Sequence, residues 1–413
     1  MVIIMEKIRI GVVGVRRGNT FVSLYSSAFD ETEVTAVCDN DTEFLKKYMD
    51  AGKMPESAKV FNDYDEMLDS GLIDAVVLAN FFHEHADFAM KAMEKGIAVL
   101  SETTAAPSLG KCVDLVETAE RTNAKYMLAT NAIFKPNVFA MKKILKEQNM
   151  GKVISGNAEY WHASEPDPNE VIDKNNVHWR KLLPAPYYNM HTLGPLMFVT
   201  ESVPVKVTAK VTYDPEWCAE RKQYQDNPAG MVITEMDNGA VFNTTGCNNI
   251  FPTSKWYRLA CEQGALETVK FADGKDMIVA KGHCEQLTTT RYDWITSGVI
   301  GEAEYKNGTA EKADRAGHGG VDYFIAYYFL KYLKGEHIPF FDVYRSTILS
   351  AAAILGWYSA LSDGKEYPIP DFSKKEDRDK VRGDYRMPFA KRYEDITLPC
   401  RIDKKDEFTG CDL

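Results

Sequence analysis

A chain of 413 residues is too long to close over one hydrophobic core, so two domains are expected. Its hydrophobic content of 45% and charged content of 26% are those of a globular protein, and a formal charge of −11 argues against nucleic acid or an anionic membrane as the main partner, because phosphate surfaces reward basic patches. A small neutral or cationic ligand suits this balance, and a local basic pocket stays open. No run of about 18 apolar residues occurs. Met1-Val2-Ile3-Ile4-Met5 passes at once to Glu6 and a strand, without a cleavage site, so the expected location is the cytoplasm. Eight cysteines (Cys38, Cys112, Cys218, Cys247, Cys261, Cys284, Cys400 and Cys411) include no C-x-x-C pair, which suits reduced, mostly buried thiols.

The first element is the apolar strand Ile8-Arg9-Ile10-Gly11-Val12-Val13, which runs into a turn bearing Gly14 and Gly18. Glycines here allow a tight strand-to-helix turn whose backbone N–H groups can approach a pyrophosphate, with the helix dipole favouring its charge. Asp39 closes the next apolar strand, Val34-Thr35-Ala36-Val37-Cys38, about twenty residues on, where a carboxylate accepts hydrogen bonds from adenosine ribose hydroxyls. A 2′-phosphate would be repelled there, so NAD is expected rather than NADP. Counted from Gly14, the pattern departs from G-x-G-x-x-G: Arg16 stands where a second glycine would, and Gly18 comes one residue early. Arg16 and Arg17 either face the phosphates or are solvated turn residues.

Strands and helices then alternate as βαβ units. Asp41 caps a helix through Tyr48, and Asp63 with Glu66 forms a capping box for another. Ala75 to Leu78 is a buried strand, Glu84 to Lys95 an amphipathic helix stopped by Gly96, and Ala98 to Leu100 the next strand. Ser108 caps a helix to about Arg121, and Tyr126 to Ala129 completes a parallel doubly wound sheet. Residues 1–131 are therefore expected to form a dinucleotide-binding Rossmann domain, and residues 132–413 a substrate-binding α/β domain with a C-terminal tail. In the second part, Val203 to Tyr213 alternates like a half-buried strand. Met231 to Met236 and Ala240 to Thr245 flank Asp237-Asn238-Gly239, and a second hairpin turns at Gln263-Gly264. An open, mainly antiparallel sheet follows from this. Helices are expected at Val321 to Lys334 and Val343 to Leu361; the tail from Asp363 either wraps the surface or a neighbouring subunit, or is solvated and disordered.

Ligands of open α/β sheets sit at the carboxyl ends of the strands, which selects three loops. They hold Asn80 with His83 and His85, then Glu102 with Thr103, then Asn131. Glu102 and Asn131 are expected beside the nicotinamide ribose or carboxamide, whereas His83 and His85 serve either a ligand or the packing of a helix start. Farther on, Tyr188 and His191 are three apart and share one helical face, so both can address one substrate. Histidine takes a hydroxyl proton as hydride leaves the carbon, and tyrosine relays or supplies a second proton. His318-Gly319-Gly320-Val321-Asp322 opens a helix, and His318 is a candidate for the cleft. No metal ligand set is expected, because His83-Glu84-His85 has poor geometry at a helix start.

These residues together resemble the Gfo/Idh/MocA family of NAD(P)-dependent sugar oxidoreductases, over most of the chain. The glycine turn with Asp39, the Asn80 to His85 loop, the Glu102 loop and Asn131 to Pro136 carry the likeness. Many members have E-K-P where this chain has Glu102-Thr103-Thr104, so their catalytic lysine is absent. Trp179-Arg180, Tyr188 to Pro195 and His318-Gly319-Gly320-x-Asp322 are similar to the branch with NAD-dependent glycosidases, glycoside hydrolase family 109. Asn189-Met190 replace that branch's P-T.

The resemblance implies a Rossmann domain followed by an α/β domain with an open, mainly antiparallel sheet, assembled as homo-oligomers, dimers or tetramers. It implies NAD held by Gly11, Gly14, Arg16, Arg17, Gly18, Asp39, Asn80, His85, Glu102, Asn131, Trp179 and Arg180. A sugar or glycoside would lie against Thr103, His162, Asn189 and His318, with His191 and Tyr188 catalytic. The expected reaction is hydride removal from a ring carbon, C3, to give a keto sugar. A second reading adds elimination of the anomeric substituent, hydration and reduction, which makes a redox-neutral glycosidase; a third is a dinucleotide-binding sensor without turnover.

Overall fold

The computed structural model describes residues 7–162, 172–173, 176–248, 250, 253–268, 277–282, 288–305, 309–411 and 413. The opening Met1 to Met5 segment, Cys284 and the end of the second hairpin at Lys270 lie outside them. The chain divides into two compact units, one of Met1–Ala106, Lys111–Asn131 and Ala303–Ser346, the other of Pro107–Gly110, Ala132–Glu302 and Thr347–Leu413. A single cut after Asn131 leaves out the return of the chain to the first unit at Ala303.

The first unit is built on a six-stranded parallel sheet. In chain order its elements are β1 (Ile8–Val13), α1 (Val15–Ser27), β2 (Thr32–Cys38), α2 (Thr42–Asp50), β3 (Lys59–Phe61), α3 (Tyr64–Asp69), β4 (Ala75–Leu78), α4 (His85–Glu94), β5 (Ala98–Ser101), α5 (Leu109–Thr122) and β6 (Tyr126–Leu128). The order β3-β2-β1-β4-β5-β6 places β1 between β2 and β4, both parallel to it, so the direction of winding reverses beside β1. Strands β4 and β5 are buried throughout, which is why their sequences are continuous apolar runs. The expected caps form: Asp41 accepts from the Phe44 N–H and Asp63 from the Glu66 N–H, each at 2.9 Å.

The second unit contains α6 (Pro136–Glu147), β7 (Val153–His162), the short pair β8 (Ile172–Asp173) and β9 (Asn176–Val177), α7 (Met190–Thr200), β10 (Pro204–Val211), α8 (Pro215–Glu220), β11 (Ala229–Met236), β12 (Val241–Asn248), β13 (Ser254–Cys261), β14 (Gly264–Thr268), β15 (Met277–Gly282) and β16 (Thr288–Arg291). After α9 (Glu302–Glu304), α10 (Ala310–Asp314) and α11 (Val321–Leu333) belong to the first unit. There Tyr25 of α1 donates to the Ala326 carbonyl of α11, and Phe29 packs on Tyr323 at 5.2 Å between ring centroids. The chain ends with α12 (Val343–Leu361), β17 (Tyr367–Pro368) and α13 (Lys375–Val381).

The second sheet has nine strands in the order β16-β15-β14-β13-β7-β12-β11-β10-β17. It is mixed, because β7 pairs parallel to β12 and antiparallel to β13. Both expected hairpins, β11–β12 and β13–β14, are present. The tail is not solvated disorder. Tyr367–Pro368 extends the sheet beside β10, and Phe372, Phe389, Leu398 and Cys400 are buried. Cys38, Cys112, Cys218, Cys247, Cys261 and Cys400 are buried free thiols. No helix among the described residues is long and apolar enough to cross a membrane.

Candidate functional site

In the first unit the carboxyl ends of β1, β2, β4 and β5 gather the expected cofactor residues. Gly11 lies in β1, Gly14 caps α1, and Gly18 lies in the first turn of that helix. Gly14 has φ +78, and a Cβ there would lie 2.4 Å from the Ala79 carbonyl oxygen, so β1 can turn into α1 beside the end of β4 only with glycine. The Gly18 N–H closes the first helical bond to the Gly14 carbonyl at 2.8 Å; the Gly14 N–H is bonded to the Cys38 carbonyl and that of Val15 to Asp39, which leaves those of Arg16 and Arg17 outside the helical ladder. Asp39, at the end of β2, accepts from the Val15 N–H at 2.7 Å and the Asp41 N–H at 2.9 Å, putting a carboxylate at the glycine turn.

The two arginines of the turn are engaged by acids. Arg16 pairs with Asp41 at 2.6 Å and stacks over Phe44. Arg17 pairs with Glu102 at 2.6 Å and binds both oxygens of Asp322, at 2.8 and 3.0 Å. Burial works against the Arg17 charge, but Glu102 and Asp322 outweigh it and raise its pKa. Asp322 is fully buried, and burial alone would favour its neutral form; the hydrogen bond from His318 and the charge of Arg17 reverse this and hold its pKa low. His318 Nδ1 lies 3.0 Å from Asp322 Oδ1. The backbone is shaped to permit it: a Cβ on Gly317 would lie 2.3 Å from Asp322 Oδ2, and His318, Gly319 and Gly320 all have positive φ. The first-turn acid of α11 is thus the anchor of a four-residue charge network.

Asn80 follows β4; its Nδ2 donates to Glu84 at 3.1 Å, and its Oδ1 is buried without a partner among the described residues. Thr130, after β6, has a similarly placed Oγ1 and was not anticipated from sequence. Buried acceptors awaiting donors, a helix start with N–H groups outside its ladder and a glycine-lined turn fit a dinucleotide along these strand ends. Asn131 is half-buried at the start of a single 3-10 turn, and Thr103 is half-buried in the loop after β5.

His85 is used by the fold itself. The ring is buried at the start of α4, between two strand-end loops, with Nδ1 3.1 Å from the Thr104 carbonyl and Nε2 3.3 Å from that of Asn80; the neutral ring donates its one N–H to one of these carbonyls. Burial lowers its pKa from 6.5 to about 4. The unfolded ring takes up a proton near 6.5 and the folded ring resists until about 4; the stabilisation is complete above 6.5 and is lost as pH falls through that window. Each pH unit of the window is worth about 1.4 kcal/mol, so about 3 kcal/mol is at stake. Denaturant unfolding of wild type and His85→Asn should give a gap at about pH 7 that narrows by about pH 4.5; a constant gap contradicts this assignment.

The second unit gathers the other candidates around one face of its sheet. On β7, alternation sends Ala158, Tyr160 and His162 to the same side, and on β13 it sends Lys255 and Tyr257 there, with Lys255 opposite Tyr160 in register. Helix α7 packs on β7, β12 and β13 and presents His191 from its first turn. The His191 ring lies 4.6 Å from that of Tyr160 and 4.8 Å, edge-on, from that of Tyr188; His162 is 5.7 Å from Tyr160 and 5.8 Å from Tyr188. Tyr257 donates to the His191 carbonyl at 3.0 Å and fixes the helix start.

Tyr188 and His191 thus meet as their spacing requires, and Tyr160 joins them. Burial raises the Tyr160 pKa, so its hydroxyl stays protonated. Asn189 is buried, accepts from the Thr192 hydroxyl, and has an Nδ2 without a partner among the described residues. Trp179 is buried, and Arg180 is exposed with its guanidinium 4.4 Å above the Trp179 ring. Tyr160 and Lys255 were missed from sequence; the signal available for Tyr160 was the alternation Ala158, Tyr160, His162. No three His, Cys, Asp or Glu residues among those described are grouped to hold a metal ion.

Comparison with known proteins gives two domain matches. Residues 8–130 match the oxidoreductase family Gfo/Idh/MocA, NAD-binding Rossmann fold, and residues 302–378 match the glycosyl hydrolase 109 C-terminal domain. Among relatives, a glycosyl hydrolase family 109 protein of Streptomyces coelicolor is 26% identical, covering 91% of this chain and 85% of that protein. One of Shewanella pealeana is 23% identical, covering 90% and 86%. Among solved structures, an oxidoreductase domain protein from Kribbella flavida aligns with TM-score 0.71 at 16% identity, covering 89% of this chain and all (100%) of that one. A levoglucosan dehydrogenase in complex with NADH and levoglucosan aligns with TM-score 0.71 at 15% identity, covering 88% and 100%.

Proposed function

From the match of residues 8–130 to the Gfo/Idh/MocA NAD-binding domain and of residues 302–378 to the glycosyl hydrolase 109 C-terminal domain, we propose that the chain is an NAD-dependent enzyme oxidising C3 of a sugar or glycoside to the ketone. The observation that carries the proposal is the contact of the His191 imidazole with the Tyr160 and Tyr188 rings on one sheet face. NAD, when bound, would be the oxidant, taking up the hydride. Gly14, Asp39, Asn80, Glu102 and Asn131 would hold it. His191 takes the proton of the hydroxyl whose carbon is oxidised, and the apolar rings around it keep water away from the developing carbonyl. His162, Thr103, Asn189 and His318 orient the sugar.

A redox-neutral glycosidase is the second reading, favoured by the match of residues 302–378 to the glycosyl hydrolase 109 C-terminal domain. The C3 ketone acidifies the C2–H bond. Tyr188 or another base would remove that proton so that the anomeric group is expelled, after which water adds and the hydride taken up by the cofactor in the first step would return to C3. Incubating the protein with NAD and a panel of glycosides, with products identified by mass spectrometry, separates an intact keto glycoside from released sugar. If elimination occurs, Tyr188→Phe should lower sugar release about 10²- to 10⁴-fold while oxidation continues. Equal loss of both activities would assign Tyr188 to the oxidation step instead. Neither product, together with no bound dinucleotide, overturns the enzyme proposal.

A further inference from the structure

We propose that the sugar carries an anionic substituent, a carboxylate or a sulfate ester, and that Lys255 with Lys135 forms the subsite for it. This rests on the preceding reading and narrows its substrate. The chain as a whole has a net charge of −11, yet cations meet at this sheet face. Lys255 Nζ lies 4.9 Å from the Tyr160 ring centroid, one aromatic ring away from the imidazole of His191. The Lys135 side chain comes within hydrogen-bonding reach of Lys255, and Arg180 acts on Tyr160 from the same unit.

Among the described residues no carboxylate forms an ion pair with Lys255. Cation–π contact lowers the energy of an ammonium but leaves its charge in place. Burial lowers the Lys255 pKa, as expected of a cation without a counterion. An arriving oxyanion restores both charge balance and the missing acceptor. The sugar geometry allows it: on a pyranose, C3 and the C5 that bears C6 flank C4, so the C3 hydroxyl and the C6 substituent leave the ring in different directions and one sugar can meet His191 at C3 and Lys255 at C6.

The test uses the NAD-loaded full chain and methyl glycosides of glucuronic and galacturonic acid, their neutral parents, and the 6-O-sulfates of those parents, in both anomers. Equilibrium binding is read by calorimetry and oxidation by kcat/KM. At least a tenfold preference for one acidic series over its neutral parent is expected, and which series it is tells carboxylate from sulfate. Lys255→Met should remove most of that preference, whereas Lys255→Arg, which keeps the charge, should retain it. A neutral parent bound and oxidised as well as its acidic forms overturns the anionic subsite and leaves the oxidoreductase proposal standing. So does a Lys255→Met variant that weakens neutral and acidic sugars by the same factor. Binding of no sugar overturns both.

Discussion

His191→Ala should lower turnover about 10²- to 10⁴-fold while the protein still binds NAD, because removing a general base costs that much when the rest of the site is intact. The backbone at this position is held by the hydrogen bond from Tyr257 to the His191 carbonyl, which alanine preserves. Loss of the imidazole also removes ring contacts with Tyr160 and Tyr188, so stability should fall modestly and be measured alongside. The informative comparison is kcat against dinucleotide affinity, the latter followed by fluorescence titration. Unchanged turnover removes His191 from the mechanism, and a matching loss of NAD affinity makes its role structural.

Gly14→Ala should be the most damaging single-methyl substitution in the first unit. The added Cβ meets the Ala79 carbonyl oxygen at 2.4 Å and its carbon at 2.5 Å, both backbone atoms at the end of β4, and φ is +78. Overpacking costs about 1–3 kcal/mol, and a left-handed conformation adds about 1 kcal/mol for a residue with a Cβ. Gly71→Ala is the control, since it has φ +67 but open space around its Cβ and carries only the second cost. Denaturant melts should therefore separate the two variants by at least about 1 kcal/mol. The NAD affinity of Gly14→Ala should fall as its turn is displaced. Equal melts would mean that the approach to Ala79 is relieved at no cost.

Much of the first unit was legible because buried parallel strands are written as apolar runs, and because Asp41 and Asp63 announce helix starts through their side chains. Its last part was not. Nothing local marks α11 as belonging with α1, since that association depends on the contacts of Tyr25 and Phe29 with residues some 300 positions away. The second unit was harder to read for a different reason. Its strand β7, central in the pairing, carries glycine, alanine and asparagine where branched residues usually advertise a strand, and Gly156 is small because the Phe242 ring occupies the space above it.

The candidate residues divide in the same way. Tyr188 and His191 were legible from their helical spacing, and the charged end of the glycine turn from its two arginines. His85 left two readings open, and both of its ring nitrogens lie at backbone carbonyls. Lys255 gave no signal, because a lysine within a strand pattern reads as solvent-facing; only its pairing opposite Tyr160 puts it against aromatic rings. The expected arginine contacts with phosphates have an alternative in the carboxylates of Asp41, Glu102 and Asp322, which a linear sequence does not bring together.

The most direct test of the central claim is to follow the fate of deuterium placed at C3 of a glycoside turned over by the NAD-loaded protein. Slowed turnover and departure of that deuterium from the sugar are the expected result, and in His191→Ala the rate of deuterium loss should fall about 10²- to 10⁴-fold. Turnover that proceeds with C3 deuterium retained throughout, and at the same rate as the unlabelled glycoside, would contradict oxidation at this carbon.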